Sequence, residues 1–244
     1  MTPARSCGGR CPHHGQHGFT LVELLVALAV MAMLSLMAWR GVDAMSRTQE
    51  STRRISSEVQ VLQAGLIQWG LDLDALAASA PIIALDFDGQ VLRITRQVLV
   101  DDPALTGIDT GTAAGGGGLR VVAWGVRVVD GQRQWLRWQS GLLRTRGEWE
   151  LAWQQAAWWG QNPSAELRRS EVVMVPVDRW EVFYYRNNSW TSPLSSASEG
   201  GQAPAAQQPL PDGVRLVLFL SDGQSISGSL RRDWVRPTLG PGGA

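Results

Sequence analysis

The fold is decided by the stretch Gly18-Phe19-Thr20-Leu21-Val22-Glu23 and by the apolar run that follows it. From Leu24 to Ala38 there is no charged residue, and Ser35 is the only polar one. The segment from Phe19 to Trp39 is about 21 residues long, so as a helix it would cross a hydrocarbon core roughly 30 Å thick. The sequence therefore predicts one membrane-spanning helix near the N-terminus.

Glu23 is the one acid of this segment. A carboxylate in a membrane span is costly unless it is paired, and it marks a functional position by default. Two interpretations are open on geometry alone. Since Glu23 lies only about one helical turn into the span, its side chain can reach up to the headgroups. Alternatively, it pairs with a cation supplied by a neighbouring molecule.

A Gly-Phe junction followed by an apolar helix with an acid at the fifth place resembles the type IV prepilin signature. The resemblance implies that an inner-membrane prepilin peptidase cuts between Gly18 and Phe19 and then N-methylates Phe19. It also implies that Glu23 pairs with the cationic amine of Phe19 in an adjacent filament subunit. Residues 1–18 would be the cytoplasmic leader, and the C-terminal domain would be periplasmic. This orientation rests on the resemblance, because arginines follow the apolar run as well as precede it.

Two other kinds of N-terminal segment are alternatives to a prepilin-like one: a secretory signal peptide and a plain single-pass anchor. A secretory signal peptide has an apolar region of about 7–15 residues that ends at a small-residue cleavage site. The run here is longer, contains Glu23 and ends in Trp39-Arg40. A plain single-pass anchor fits the length but gives no reason for Glu23.

Composition excludes several kinds of function. The 22 basic and 22 acidic residues give a formal net charge of zero, so nothing favours nucleic-acid binding. Both cysteines and all three histidines precede Phe19, at Cys7, Cys11, His13, His14 and His17. A zinc knuckle is one interpretation of this group, but its spacing fits no finger pattern and a disordered leader is favoured. After cleavage the chain would lack thiol nucleophiles, histidine bases and histidine metal sites. We therefore expect no catalytic residue, metal or cofactor.

A second apolar pattern follows the membrane segment. Its members are spaced alternately by four and three residues, which places them on one helical face: Ile55, Val59, Leu62, Leu66, Trp69, Leu73 and Leu76. We predict one long helix from Phe19 to about Ala78, ended by Pro81, whose second half packs on a sheet. A coiled-coil seam is the alternative, although only about three heptads are present.

Beyond the helix the chain reads as β-structure. Asp-Gly turns separate three pairs of strand-like runs: 82–87 from 91–95, 119–129 from 134–138, and 215–220 from 225–230. Asp-Gly is a strong hairpin signal because type I′ turns need positive φ at both central residues. Residues 172–177 and 180–185 add two strand candidates, and 148–159 a short helix. A calcium loop at Asp86-x-Asp88-Gly89 fails, because its first and twelfth places would be Ala84 and Thr95.

These patterns predict an α+β fold with a long N-terminal helix packed on an antiparallel β-sheet, and the prepilin resemblance implies that this fold is type IV pilin-like. The predicted divisions are a leader (1–18), a transmembrane and assembly helix (19–39), its periplasmic continuation (40–78), a β-rich domain (79–236) and a flexible tail (237–244). Residues 101–118 and 191–213 are predicted loops.

Further stretches resemble the J-type minor pseudopilin of the type II secretion system, the GspJ/PulJ family. They are Trp39-Arg40-Gly41-Val42-Asp43, Leu136-Arg137-Trp138, Leu142-Leu143-Arg144 with Gly147, Ala152-Trp153-Gln154-Gln155, Trp180-Glu181-Val182-x-Tyr184 near Trp190, and Leu210-Pro211-Asp212-Gly213-Val214-Arg215-Leu216. The resemblance implies a non-enzymatic subunit at the tip of a periplasmic pseudopilus, joined to I- and K-type minor pseudopilins and the major pseudopilin at the inner membrane. It implies no metal site.

Three alternatives carry a different function. A minor pilin of a type IV pilus or a DNA-uptake pseudopilus shares the N-terminal motif. A membrane-tethered periplasmic enzyme would have only Asp, Glu, Ser, Arg or Tyr to use, and no serine lies in a nucleophile-elbow motif. A carbohydrate-binding module would use some of the twelve tryptophans, with Trp158-Trp159 as the candidate exposed pair. Most of the tryptophans are predicted to lie in the core.

Overall fold

The computed structural model describes residues 19–77, 82–99, 117–195 and 209–237. The chain divides into two compact units, residues 1–53 and 54–244. Helix α1, Leu21–Asp74, is 54 residues long and contributes to both units. Its N-terminal part has a mean hydropathy of 2.4 over the most apolar window, none of which is buried. It is therefore long and apolar enough to cross a membrane.

In the second unit, one face of α1 packs on the sheet. Leu62, Trp69 and Leu73 of the predicted stripe are buried, whereas Ile55 at its start is 45% exposed. Gly65 lies between Leu62 and Trp69 on this face, and a Cβ placed there would lie 2.8 Å from the Trp135 ring. Because glycine has no side chain, the helix can lie close to the sheet at Gly65.

Helix α1 ends at Asp74, four residues before the end near Ala78 that the sequence predicted. The next residues leave the helix because they pair with a strand. The amide of Ala77 donates to the carbonyl of Thr95 at 2.9 Å, and the amide of Gln97 donates to the carbonyl of Ala75 at 2.8 Å. Pro81, the predicted stop, lies outside the described residues.

The described strands form one antiparallel sheet in the order β1-β2-β3-β4-β5-β7-β8, with β6 paired to β5. Their bounds are β1 Leu85–Phe87, β2 Val91–Leu99, β3 Gly117–Val129, β4 Gln132–Gln139, β5 Glu171–Arg186, β6 Ser189–Thr191, β7 Gly213–Leu220 and β8 Gly228–Val235. The predicted α+β class, a long helix packed on an antiparallel sheet, is confirmed.

All three Asp-Gly sequences connect neighbouring antiparallel strands, as predicted. At Asp130-Gly131 the φ angles are 50° and 80°, which are the positive values that a type I′ turn requires. The third hairpin is longer than predicted, because β8 begins at Gly228 instead of Ser225. Ser225 instead binds the side chain of Glu58.

The two strands predicted at 172–177 and 180–185 are one strand, β5. Its first half pairs with β4 and its second half pairs with β7. The register against β7 shifts between Val177 and Arg179, so Asp178 is an extra residue on the β5 side. Such a bulge bends a strand without ending it.

Helix α2, Arg146–Gln161, covers the face of the sheet opposite to α1, and the short helix α3, Ala165–Arg168, follows it. The predicted helix at 148–159 is confirmed and extends by two residues at each end. Thr145 caps α2 through a full capping box with Glu148. The sheet therefore separates two apolar cores, one beneath α1 and one beneath α2.

Candidate functional site

Helix α1 begins at Leu21, the fourth residue of the N-terminal motif Gly18–Glu23. Phe19 is outside the helix and 82% exposed, while Gly18 lies outside the described residues. Thr20 is the N-cap, because its hydroxyl accepts the Glu23 amide proton at 3.3 Å and its carbonyl accepts the Leu24 amide proton at 3.2 Å. Thr20 and Glu23 have the spacing of a capping box. Sequence reasoning assigned Glu23 but overlooked Thr20, although this spacing is visible in the sequence.

Glu23 occupies the first turn of α1, where the helix dipole favours a negative charge. No cation pairs with its carboxylate in the described part of the chain. An adjacent molecule can therefore provide a partner without displacing one. Because Gly18 lies outside the described residues, the cleavage site is not described as a whole, and the processing and pairing roles of Gly18, Phe19 and Glu23 remain predictions.

The apolar side chains of the N-terminal part of α1 are exposed on every side of the helix. From Leu21 to Met37, each large apolar residue exposes at least half of its side-chain surface. A helix that is apolar all round is one that lies in lipid or among other helices. Glu23 thus lies at the start of a surface suited to a membrane or to the helices of a filament.

A second polar cluster joins α1 to the sheet, and we call it the Asp72 anchor. The Asp72 carboxylate has no exposed surface and accepts five hydrogen bonds. Arg137 donates Nε to Oδ2 at 2.7 Å and Nη2 to Oδ1 at 2.9 Å. Arg96 donates Nη1 at 2.7 Å, while Trp124 Nε1 and Gln68 Nε2 each donate at 3.0 Å.

A buried carboxylate is tolerated only when its charge and lone pairs are satisfied, and the Asp72 anchor satisfies both. Its partners come from α1, β2, β3 and β4, so one group fixes the last turn of α1 on three strands. Sequence reasoning missed this cluster. The available signal was an acid next to Leu73 on the apolar face of a helix, with arginines inside otherwise apolar strands.

Two further side chains tie the same stretch of α1 to the end of the sheet. Glu58 accepts hydrogen bonds from the amide of Ser225 at 2.9 Å and from its hydroxyl at 2.5 Å. These bonds lower the pKa of Glu58. Asp74 accepts a hydrogen bond from Trp234 Nε1 at 2.8 Å. The second half of α1 is thus held at three points along its length.

Most tryptophans lie in the core, as predicted. Eight are buried: Trp69, Trp124, Trp135, Trp138, Trp149, Trp153, Trp159 and Trp234. Only one member of the pair proposed as an exposed anchor is exposed, since Trp158 is 55% exposed and Trp159 is 1% exposed. Trp159 instead donates its indole N–H to Glu171 at 2.8 Å.

Within the described ranges, no group of three or more acids lies close enough to hold a metal ion. The Asp86-x-Asp88-Gly89 segment forms the predicted hairpin. Asp88 accepts the amide protons of Gln90 and Val91, and Asp86 pairs with Arg93.

Comparison with known proteins supports the prepilin-like interpretation of the N-terminus. Residues 13–39 match the family described as "Prokaryotic N-terminal methylation motif". Comparison with curated protein sequences finds no match. A solved chain in "The Crystal Structure of the GspK-GspI-GspJ complex from enterotoxigenic Escherichia coli Type 2 Secretion System" is similar, with 17% identity and a TM-score of 0.38. The alignment covers 73% of this chain and 96% of that chain.

Proposed function

We propose that this protein is a non-enzymatic minor pseudopilin of the J type in a type II secretion system. The observation that carries the proposal is the N-terminal methylation motif on an apolar helix, with Glu23 unpaired in its first turn. The similarity of Trp39–Asp43 and of the later stretches to the GspJ/PulJ family supports the choice of subunit.

In the proposed processing, a prepilin peptidase hydrolyses the bond between Gly18 and Phe19. The leader leaves with a new carboxylate on Gly18, and the mature chain begins with an amine on Phe19. N-methylation keeps that amine basic. Phe19 is exposed and precedes the first helical residue, so the scissile bond adjoins a stretch that is not locked into the helix.

In the proposed assembly, the cationic amine of one subunit pairs with Glu23 of a neighbour. A lone carboxylate in lipid is costly, and pairing removes most of that cost while setting the axial register between subunits. The partners we propose are the I- and K-type minor pseudopilins and the major pseudopilin. The protein would span the inner membrane once, with its sheet domain in the periplasm.

The processing step is tested by the intact mass of the protein from cells with and without the prepilin peptidase. We expect the mature form to lack residues 1–18 and to carry one methyl group on Phe19. An unchanged mass in cells that contain the peptidase would overturn the processing proposal.

The pairing step is tested with Glu23→Val. We expect normal membrane insertion, normal cleavage, and loss of co-purification with the I- and K-type subunits, because only the carboxylate is removed. Glu50→Val is the matched control, since Glu50 is an exposed acid on the same helix but outside the apolar run. Full secretion activity of Glu23→Val would refute the pairing role.

A further inference from the structure

A groove lies between α2, α3 and the C-terminal end of β4, and we call it the α2 groove. Its volume is ≈ 470 Å³, within the usual range for ligand sites. Apolar side chains line one part of it: Trp138, Leu143, Leu151, Ala152, Trp158 and Leu167. All of its lining residues belong to the second unit, so this surface is separate from the N-terminal motif.

The outer wall of the α2 groove is an exposed apolar stripe. Leu151 and Trp158 are 54% and 55% exposed, respectively, and they lie seven residues apart on one face of α2. Buried Ala152 and Leu143 lie beneath them in the lining. A large exposed tryptophan beside an exposed leucine is the composition of an interface anchor.

The charged side chains that line the α2 groove are both acids, and the charge of Arg144 acts on one of them, Glu148. Among the described residues that line it, the charged ones are Glu148 and Glu166, and none is basic. Hydrogen bonds from the amides of Arg144 and Thr145 lower the pKa of Glu148, so its carboxylate stays ionised. Glu166 is exposed, and its side chain has no partner in the described part of the chain. The groove therefore favours a cation.

The α2 groove also contains polar groups that the described residues leave unsatisfied. The Trp138 side chain is 98% buried, and its Nε1–H has no acceptor among them. A buried donor without an acceptor is unusual in a native fold. The Gln155 amide, one helical turn from Trp158, likewise makes no side-chain hydrogen bond within the described ranges. A ligand with a carbonyl oxygen would supply an acceptor for the Gln155 amide, whereas Trp138 Nε1 has no exposed surface for a ligand to reach.

We propose that the α2 groove binds an extended peptide segment of a protein partner in which an arginine or lysine lies next to a large apolar residue. The basic group would lie between Glu148 and Glu166, and the apolar side chain would pack on Trp158 and Leu151. A backbone carbonyl of the peptide would accept from the Gln155 amide. A neutral oligosaccharide also stacks on tryptophan, but it gives no reason why the charged residues that line the groove are both carboxylates.

The test uses the full-length protein in a nonionic detergent and three probes. The first is a fluorescein-labelled peptide of alternating leucine and arginine, the second its leucine–glutamate counterpart, and the third a labelled chito-oligosaccharide. Binding is measured by fluorescence anisotropy at protein concentrations up to about 1 mM, against empty micelles. We expect the basic peptide alone to bind, with an affinity that falls as salt rises, because exposed charges are screened.

Variants locate the binding. Glu166→Lys should weaken the affinity for the basic peptide about three- to tenfold, the range expected for reversing an exposed charge. Trp158→Ala should weaken it about tenfold or more, as for an exposed aromatic anchor. Glu150→Lys is the matched control, because Glu150 is on the same helix but outside the groove. It should bind like the unaltered protein.

Three outcomes would overturn the proposal. One is the absence of basic-peptide binding to the folded protein. Another is equal or tighter binding of the acidic peptide or of the oligosaccharide. The last is an identical effect of Glu166→Lys and Glu150→Lys, which would show a nonspecific response to net charge. Because the N-terminal motif is unchanged in all of these variants, their processing and assembly remain a separate measurement.

Discussion

The Asp72 anchor makes a quantitative prediction about stability. Asp72→Ala removes the acceptor of five hydrogen bonds and leaves Arg137 buried without a counter-ion. Breaking a buried ion pair by removing one partner costs about 3–5 kcal/mol, because the remaining charge stays buried. The Arg137 side chain is only 8% exposed, so it has little access to water as a substitute partner. We therefore expect a loss of about 3–5 kcal/mol.

The assay is urea unfolding of the full-length protein in detergent, followed by far-ultraviolet circular dichroism. A lower midpoint with an unchanged slope would report a pure loss of stability. Asp74→Ala is the control. Asp74 is the exposed neighbour two residues on, and it accepts only the hydrogen bond from Trp234. It should cost about 1 kcal/mol.

The same reasoning predicts a partial rescue. Replacing Asp72 and Arg137 together by leucine removes the buried unpaired charge of Arg137, while Arg96 and Trp124 lose the same acceptor as in Asp72→Ala. Exchanging a buried ion pair for apolar groups is often near neutral. The double variant should therefore be more stable than Asp72→Ala. If Asp72→Ala costs no more than Asp74→Ala, or if the double variant is the least stable of the three, the assigned role of the anchor is refuted.

Two further predictions concern packing and pH. In Gly160→Ala the new Cβ would lie 1.9 Å from Cγ2 of buried Val91, and overpacking of about 1–3 kcal/mol should outweigh the ~1 kcal/mol that alanine gains over glycine in a helix. Adding Val91→Ala to Gly160→Ala should remove this penalty, as measured by thermal unfolding. A gain of stability in Gly160→Ala alone would contradict the contact. Hydrogen bonds from Arg215 lower the pKa of Asp233, so this pair stabilises the fold above the ordinary carboxyl pKa and is lost as pH falls through the lowered value. Asp233→Asn should therefore show less loss of stability than the unaltered protein between about pH 5 and pH 2, and equal slopes would refute the coupling.

Local signals predicted most of the fold. Each Asp-Gly turn depends on its own two residues: the glycine has positive φ in all three turns, and the aspartate has positive φ only at Asp130. All three hairpins join the strands that the sequence predicted. The apolar stripe predicted the buried face of α1 from Leu62 onward. These features depend on residues a few positions apart, so they can be read from the sequence.

Contacts between residues that are far apart in the sequence account for the features of the fold that were predicted wrongly or missed. The helix ends early because Ala75 and Ala77 bond to β2, a contact that no local pattern announces. Strand β5 continues through Asp178 because β4 pairs with its first half and β7 pairs with its second half. The partners of Asp72 on the sheet lie 24, 52 and 65 residues away. The N-terminal motif could be recognised from the sequence because Gly18, Phe19 and Glu23 all lie within one six-residue stretch.

The attachment of α1 has a mechanical consequence. Glu58 holds the helix to the β7–β8 turn, Asp72 holds it to β2, β3 and β4, and Asp74 holds it to β8. An axial force applied to this part of the helix is therefore divided between strands on both sides of β5. No single hairpin bears the whole load, and such a layout resists peeling of the sheet one strand at a time.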